Sequence, residues 1–395
     1  MPPIGEGTFG CAIGPSLKCK GKSKRMSYIG KISKVMQAKE TESEIRMYDT
    51  IKAIDSTNRF HQGEPIECEP IDDKITRDEI DKCKMFSSKD IANYKLLIMD
   101  DGGLDLYQYG PIATKTIKSI NRFWVEAHRV ILGVSVLVSN GVVHHDLKPQ
   151  NIVYFEKNHR MNFIDFGLMT TMAKIKKGYN ESNYGLALLH ATFPFEMSFM
   201  KKRDYMDISN KRSQYAPALL RRVLASPQNV FFANITNGQH KQSREEVVKL
   251  ISDQYTAMIE EDMTPENYDE ILEKTINTID VYGLGFTFLY MLGIFRPYMD
   301  SRLADDLDDL FLEAVNPRVL MRITADELLH KYDGILKKHL APQDKCEHIG
   351  KEFNPFTKRC TIKCNKGQTR DNKFKCINCA LDKPMNTHAM QISNA

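Results

Sequence analysis

The chain has 395 residues, 42% of them hydrophobic and 27% charged, with nine cysteines and a formal net charge of +4. That length exceeds the roughly 250 to 300 residues at which single cores stop growing, so an ordinary folded composition predicts two lobes with additions. The mild charge argues against nucleic acid as a partner, and Lys18 to Arg25 reads as a solvated turn. Val130 to Val138 and Val281 to Phe295 are shorter than the roughly 20 apolar residues of a membrane span and read as buried helices. A glycine loop starting at Gly5 leaves no room for a signal peptide, so the chain reads as intracellular and cytoplasmic.

In chain order, Gly5-Glu-Gly7-Thr-Phe-Gly10-Cys-Ala12 comes first. A lone G-x-G-x-x-G is a weak signal shared with dinucleotide folds, but the helix pattern those folds require does not follow it directly. Tyr28 to Val35 carries a short apolar pattern of strand type. Ala38 to Ile54 has Ile45, Tyr48 and Ile51 at helical spacing, behind Glu40, Glu42 and Glu44. Residues 55–93, rich in Pro, Asp and Glu and carrying Cys68 and Cys83, are less informative. Tyr94 to Met99 reads as a buried strand that ends in Asp100-Asp101-Gly102-Gly103. Thr116 to Asn140 is a continuous helical pattern in which Trp124 and His128 read as packing residues.

The stretch from Val142 to Gly167 carries the chemistry: His144-His145-Asp146-Leu-Lys148-Pro-Gln-Asn151, then Asp165-Phe166-Gly167. Two carboxylates, a lysine and an asparagine at this spacing can orient a hydroxyl, screen phosphate charge and ligate Mg²⁺, which is usually held by one or two protein carboxylates plus the phosphates. Here the chain resembles a protein kinase, and Asp146-Leu-Lys148-Pro resembles the Ser/Thr branch. His145 stands where that family usually has Arg, which commonly meets an activation-loop phosphate; its absence implies activity that does not wait for loop phosphorylation.

The resemblance spans about residues 4 to 340 and implies an α+β, two-lobed protein kinase fold: a small β-rich lobe with the hinge over 1–103 and a helical lobe over 104–341. It implies that Gly5, Gly7 and Gly10 lay backbone amides against ATP phosphates, with Phe9 at the loop tip and Ala12 over the adenine. It places the ATP-pairing lysine at Lys31, with Lys34 as the alternative, and Glu44 as its partner. Met99 would be the gatekeeper, Asp100 and Asp101 hinge residues offering backbone groups to adenine, and Asp105 a ribose contact. Asp146 and Lys148 would be catalytic, and Asn151 and Asp165 would hold Mg²⁺. Farther on, Phe193-Pro194-Phe-Glu196 resembles the end of an activation segment, Asp280-Val-Tyr-Gly-Leu-Gly285 a helix that braces the catalytic loop, and Arg322 the partner of Glu196.

The distance from Glu196 to Asp280 is longer than the family's and predicts a helical insertion at about 198–278, with Asn237-Gly238 as a turn. The tail over 342–395 holds five cysteines. Cys360, Cys364, Cys376 and Cys379 have a spacing that admits a zinc site, against which disulfides and free thiols compete. An odd count in an intracellular enzyme weighs against disulfides. The tail and the insertions resemble kinases of nucleocytoplasmic large DNA viruses, which loosens that compartment rule and adds packaging in a virion as an expectation. The activity implied is transfer of the γ-phosphoryl of MgATP to protein Ser/Thr hydroxyls. A catalytically silent pseudokinase scaffold is the alternative, and a small-molecule kinase, which seldom carries Asp-Phe-Gly, a weaker one.

Overall fold

The structure, a computed structural model, describes residues 3–7, 10–21, 26–184, 192–212, 244–340 and four short stretches of the tail (351–354, 359–365, 368–370 and 375–378), with single positions at 214, 218 and 221. Phe9, the Asn237-Gly238 turn, Cys346 and Cys379 lie outside these residues.

Alternation decides the N-terminal lobe. Strands β1 (Gly5–Gly7), β2 (Gly10–Ile13), β3 (Lys31–Gln37), β4 (Ile66–Cys68) and β5 (Tyr94–Asp100) form an antiparallel sheet in the order β1-β2-β3-β5-β4. Its register lines up Cys11, Val35, Leu96 and Cys68 in one row across β2, β3, β5 and β4. Because side chains alternate between faces, this row and its companions Ile13 and Ile98 make the outer face. Helix α1 (Ala38–Ile54) packs against β3 and β5, its buried Glu44, Tyr48 and Ile51 recurring every three to four residues as a helix facing a core requires.

The outer face would be open to water if residues 66–93 did not cover it. Helix α2 (Lys74–Ile80) starts at Asp73, whose carboxylate accepts from the Thr76 N–H at 2.8 Å. It delivers Ile80 and Cys83, with Ile91 and Tyr94, onto Cys11, Ile13, Leu17, Val35, Leu96 and Ile98, a small core separate from that of the helical lobe. Two disulfides cross it, Cys11–Cys83 and Cys19–Cys68. The least legible stretch of the sequence thus forms the roof of the sheet.

After β5 the chain passes through β6 (Leu104–Asp105) and α3 (Leu106–Ile112) into α4 (Ile117–Ser139), capped by Thr116 and Ser119 in a reciprocal capping box. Trp124 is fully buried between Phe123, Phe288 and Phe311, whereas His128 meets Asp333 at 3.0 Å near the surface. Short strands β7 (Val142–Val143), β8 (Ile152–Phe155), β9 (Arg160–Phe163) and β10 (Thr170–Thr171) carry the loops of the candidate site. Helices α5 (Met172–Asn180), α6 (Lys202–Asn210) and α7 (Arg244–Ala257) follow, the last running into a π-type turn over Met258–Asp262.

The apolar stretch Val281 to Phe295 is the second half of one 28-residue helix, α8 (Tyr268–Phe295). Among the described residues this segment alone is long and apolar enough to cross a membrane, and it is buried inside the lobe. Helices α9 (Ser301–Ala314) and α10 (Ala325–His339) pack on it and on α4. Arg322 and Glu196 form a wholly buried ion pair at 2.8 Å, with the guanidinium over the Tyr282 ring and its Nε donating to the Asn316 carbonyl.

Two hairpins belong to the tail: β11 (Glu352–Asn354) with β12 (Arg359–Thr361), and β13 (Gln368–Arg370) with β14 (Cys376–Asn378). A disulfide joins Cys364 to Cys376, and Cys360 is disulfide-bonded as well. This corrects the zinc reading, since a sulfur in a disulfide is not a thiolate and three of the four expected ligands are so engaged. Among the described residues no group of three or more His, Cys, Asp or Glu is placed to hold a metal.

Candidate active site

The site begins with a lysine whose position follows from strand register. Gly30 has φ +66°, so the strand starts at Lys31 rather than at Tyr28. Lys31 therefore shares the outer face with Ser33 and Val35, and its ammonium meets Asp100 at 2.6 Å near solvent. Lys34, three residues on, falls on the opposite face. Its Nζ lies 2.7 Å from Glu44 Oε2 and 3.1 Å from Asp165 Oδ1. The expected Lys31–Glu44 pair is thus corrected to Lys34–Glu44, and Asp165 joins it.

Burial works against the Lys34 ammonium, but Asp165 and Glu44 outweigh it and hold its pKa above the usual lysine value. Burial also opposes the Asp165 carboxylate, which the Lys34 ammonium nevertheless keeps below the usual range. Gly10 stands directly above this lysine: a Cβ there would come within 2.8 Å of Lys34 Cε and 3.0 Å of the Val35 carbonyl. Ala12 pairs in register with Lys34, which brings the glycine-rich hairpin over the ammonium. Gly5 and Gly7 occupy the exposed strand β1, and a side chain there would meet open space.

Across from the lysine, residues 144–151 form a loop fixed from beneath. The wholly buried Asp280 accepts from the His144 N–H at 2.6 Å and from the His145 N–H at 2.9 Å. Burial pushes its carboxyl up while these amides and His144 counter it. The loop presents Asp146, whose carboxylate accepts from Lys148 Nζ at 2.9 Å and from Asn151 Nδ2 at 2.7 Å. Asn151 also donates to the Asp146 carbonyl, so its amide hydrogens are engaged and Oδ1 is the atom left for a ligand. The Ile164 N–H donates to the Asn151 carbonyl at 3.0 Å, bringing Asp165 beside Asn151. A carboxylate and an amide oxygen on these two hydrogen-bonded segments fit the hard-oxygen donor set of Mg²⁺.

His145 and Asp165 both have left-handed backbones, at φ +67° and +61°. Non-glycine residues adopt this region only when the surroundings over-determine it, at a cost of order 1 to 3 kcal/mol each, and such positions cluster at functional sites. Phe166, next to Asp165, is buried edge-on against Tyr48 of α1 and tilted against His144. One aromatic side chain therefore ties together the helix of Glu44, the loop of Asp146 and the loop of Asp165, a link that their scatter in sequence conceals. His145, buried and pushed down to about 4 by burial, is neutral. Its Nε2 lies 3.1 Å from the Tyr184 hydroxyl and its ring stands edge-on to Phe193.

The hinge differs from expectation in detail. Met99 is paired with Ile32 inside the sheet. The Asp101 N–H donates to the Gly30 carbonyl at 2.9 Å and is not left to face a base. With its amide oxygen and nitrogen assigned to suit their neighbours, Gln62 donates to the Asp100 carbonyl at 2.9 Å and accepts from the Gly102 N–H at 3.0 Å. Asp105, expected at the ribose, caps α3 by accepting from the Gln108 N–H, and burial raises its carboxyl.

Residues 67–192 match the family model described as the protein kinase domain. The segment contains the hinge, the Asp146 loop and Asp165, while Lys34, Glu44, Asp280 and Arg322 lie outside it. The chain is similar to calcium-dependent protein kinase 4 of Plasmodium berghei (strain Anka), 32% identical over 127 residues, which is 29% of this chain and 23% of that protein. It is also similar to calcium-dependent protein kinase 4 of Plasmodium falciparum (isolate 3D7), 26% identical over 201 residues, or 48% of this chain and 33% of that protein. The chain thus spans about a quarter to a third of the length of these curated relatives.

Proposed function

We propose that this chain is a protein kinase of two-lobed fold that transfers the γ-phosphoryl group of ATP to Ser or Thr hydroxyls of a protein. The observation that carries the reading is convergence: Lys34, Glu44 and Asp165 share one ion-paired cluster, and the Asp146–Lys148–Asn151 group stands beside it through the Asn151–Ile164 hydrogen bond. These are the groups that phosphoryl transfer needs and that a scaffold has no chemical reason to assemble. Ser/Thr preference rests on the Asp146-Leu-Lys148-Pro sequence, and an origin in a large DNA virus on the tail and insertions.

In this reading, Lys34, held by Glu44, positions the α- and β-phosphates beneath the glycine-rich hairpin. Asp146 orients the acceptor hydroxyl and takes its proton late, and Lys148 screens the transferring group from the Asp146 side. Asn151 and Asp165 would hold Mg²⁺, which supplies charge neutralisation between the phosphates when bound. Since the transition state is loose, the rate gain comes from positioning and charge, so Asp146→Asn should lower kcat far more than it raises KM for ATP.

The test is phosphoryl transfer from labelled MgATP to generic Ser/Thr acceptors and to the protein itself, with phosphoamino-acid analysis. Wild type should label Ser or Thr, and Asp146→Asn and Asp165→Ala should lose that label. ATP binding without labelling by wild type would refute this activity and favour a scaffold.

A further inference from the structure

The glycine-rich hairpin is held from both faces. Its lower face meets Lys34 through Gly10 and the Ala12–Lys34 register. On its upper face Cys11, in β2, is wholly buried and bonded to Cys83, 72 residues away. A second, non-covalent contact runs in the same direction: the Met85 N–H donates to Glu6 Oε1 of β1 at 3.2 Å.

The segment that carries Cys83 is itself anchored. Asp81 accepts from both the N–H and the hydroxyl of Ser88 at 2.7 Å. The Ser87 N–H donates to the Tyr94 hydroxyl of β5, and Phe86 packs edge-on against the Tyr94 ring. Through Cys83 the hairpin is therefore fastened to β5, the strand that leads into the hinge. The other lobe disulfide, Cys19–Cys68, lies in the same small core but joins the 14–21 loop to β4 and forms no covalent link to the hairpin strands.

We propose that Cys11 and Cys83 are positioning residues for the nucleotide: their disulfide sets the height of the glycine-rich hairpin over Lys34, and breaking it weakens ATP binding while leaving the transfer step intact. The proposal rests on the kinase reading for its ligand, but its mechanical content, a hairpin held by Cys83, does not. The bond opens by two-electron reduction. A dithiol thiolate attacks one sulfur to give a mixed disulfide, its second thiol closes on that intermediate, and the products are two cysteine thiols and the cyclic disulfide of the reductant. If the freed hairpin occupies its closed position about a tenth of the time, apparent nucleotide affinity falls about tenfold, because only that fraction is competent to bind.

The experiment uses the full chain. Hydrogen exchange of peptides covering 3–13 and KM and kcat for ATP are compared in wild type, in Cys11→Ala/Cys83→Ala, and in Cys19→Ala/Cys68→Ala before and after dithiothreitol, with reduction followed by alkylation and mass. Loss of the Cys11–Cys83 bond by either route should speed exchange in the hairpin but not in α1, and raise KM about tenfold with kcat within about twofold. Unreduced Cys19→Ala/Cys68→Ala should match wild type. If Cys11→Ala/Cys83→Ala does not fold, the reduction arm decides. Unchanged hairpin exchange with both thiols alkylated overturns the proposal, as does an equal rise of KM in unreduced Cys19→Ala/Cys68→Ala, or alkylation of Cys11 and Cys83 in untreated protein. A chain with no turnover refutes the kinase reading alone, because hairpin exchange still reports the clamp.

Discussion

Replacing Lys34 and Lys31 separately by Met tests the register of β3, on which the electrostatics of the site depend. The Lys34 side chain is 15% exposed and that of its partner Glu44 3%, so Lys34→Met leaves a buried carboxylate without its counter-ion. Breaking such a pair costs about 3 to 5 kcal/mol. For a domain of this size, with roughly 2 to 4 °C of Tm per kcal/mol, the expected drop is on the order of 10 °C. Lys31 and Asp100 are 28% and 63% exposed. A surface pair of that kind contributes about 0 to 1 kcal/mol, so Lys31→Met should shift Tm by no more than a few degrees. Catalysis should separate the two further. Removing one preorganised charge-stabilising group typically costs about 10²- to 10³-fold in kcat, which is the expectation for Lys34→Met in the phosphoryl-transfer assay. Glu44→Gln combined with Lys34→Met should recover stability but not activity, since it removes the stranded charge without restoring the phosphate partner. A Lys31→Met enzyme that loses activity as severely as Lys34→Met, or a fully active Lys34→Met, would refute the reasoning.

Three further outcomes follow from the same geometry. Arg322→Met should lower the urea unfolding free energy by about 3 to 5 kcal/mol by stranding Glu196, whereas Arg322→Met with Glu196→Met should recover most of it; equal losses would contradict a charge-burial origin. His145, with its folded pKa of about 4 against 6.5 for an unperturbed imidazole, takes up a proton on unfolding before it does so in the native state. Its contribution to stability is therefore complete above pH 6.5 and lost as pH falls toward 4, by about 1.4 kcal/mol at pH 5.5; His145→Asn should remove that share of the acid slope in pH-dependent urea titrations, and an unchanged slope would refute it. In the tail, a zinc chelator should leave the protein unaltered while reduction and alkylation adds label at Cys364 and Cys376; stoichiometric zinc in the purified protein would contradict the disulfide.

The sequence and the structure agree most closely where chemistry demands several residue types at fixed spacing. Asp146, Lys148, Asn151 and Asp165 lie within about twenty residues, and the fold brings them together with little rearrangement. Helix α1 was legible because Ile45, Tyr48 and Ile51 carry the period of 3.6, and α4 because its apolar stripe is unbroken. The lysine that pairs with Glu44 was not, and the reason is physical. A strand's period is two, so a slip of three residues changes the face, and β3 holds lysines at both positions. What separates them is Gly30 with its positive φ, which starts the strand at Lys31. That conformation depends on the sheet into which the strand folds.

The cysteines fail to read from sequence for a different reason. A disulfide requires proximity, and proximity between residues 72 and 49 apart is a property of the sheet order. Once β2, β3, β5 and β4 line up, Cys11 and Cys68 occupy the two ends of one row on the face that α2 covers. Cys83 and Cys19 then meet them from the covering segments. The same arrangement accounts for the opacity of residues 66–93: they carry little periodicity because most of them form neither a full strand nor a long helix. They make a lid whose few apolar contacts, Ile80, Cys83, Phe86 and Ile91, are placed by capping and hydrogen bonds at Asp73, Asp81 and Tyr94. A core this small gains from covalent closure, because linking distant positions restricts the unfolded chain more than the folded one. That the closure falls on the glycine-rich hairpin makes a stabilising device also a positioning one.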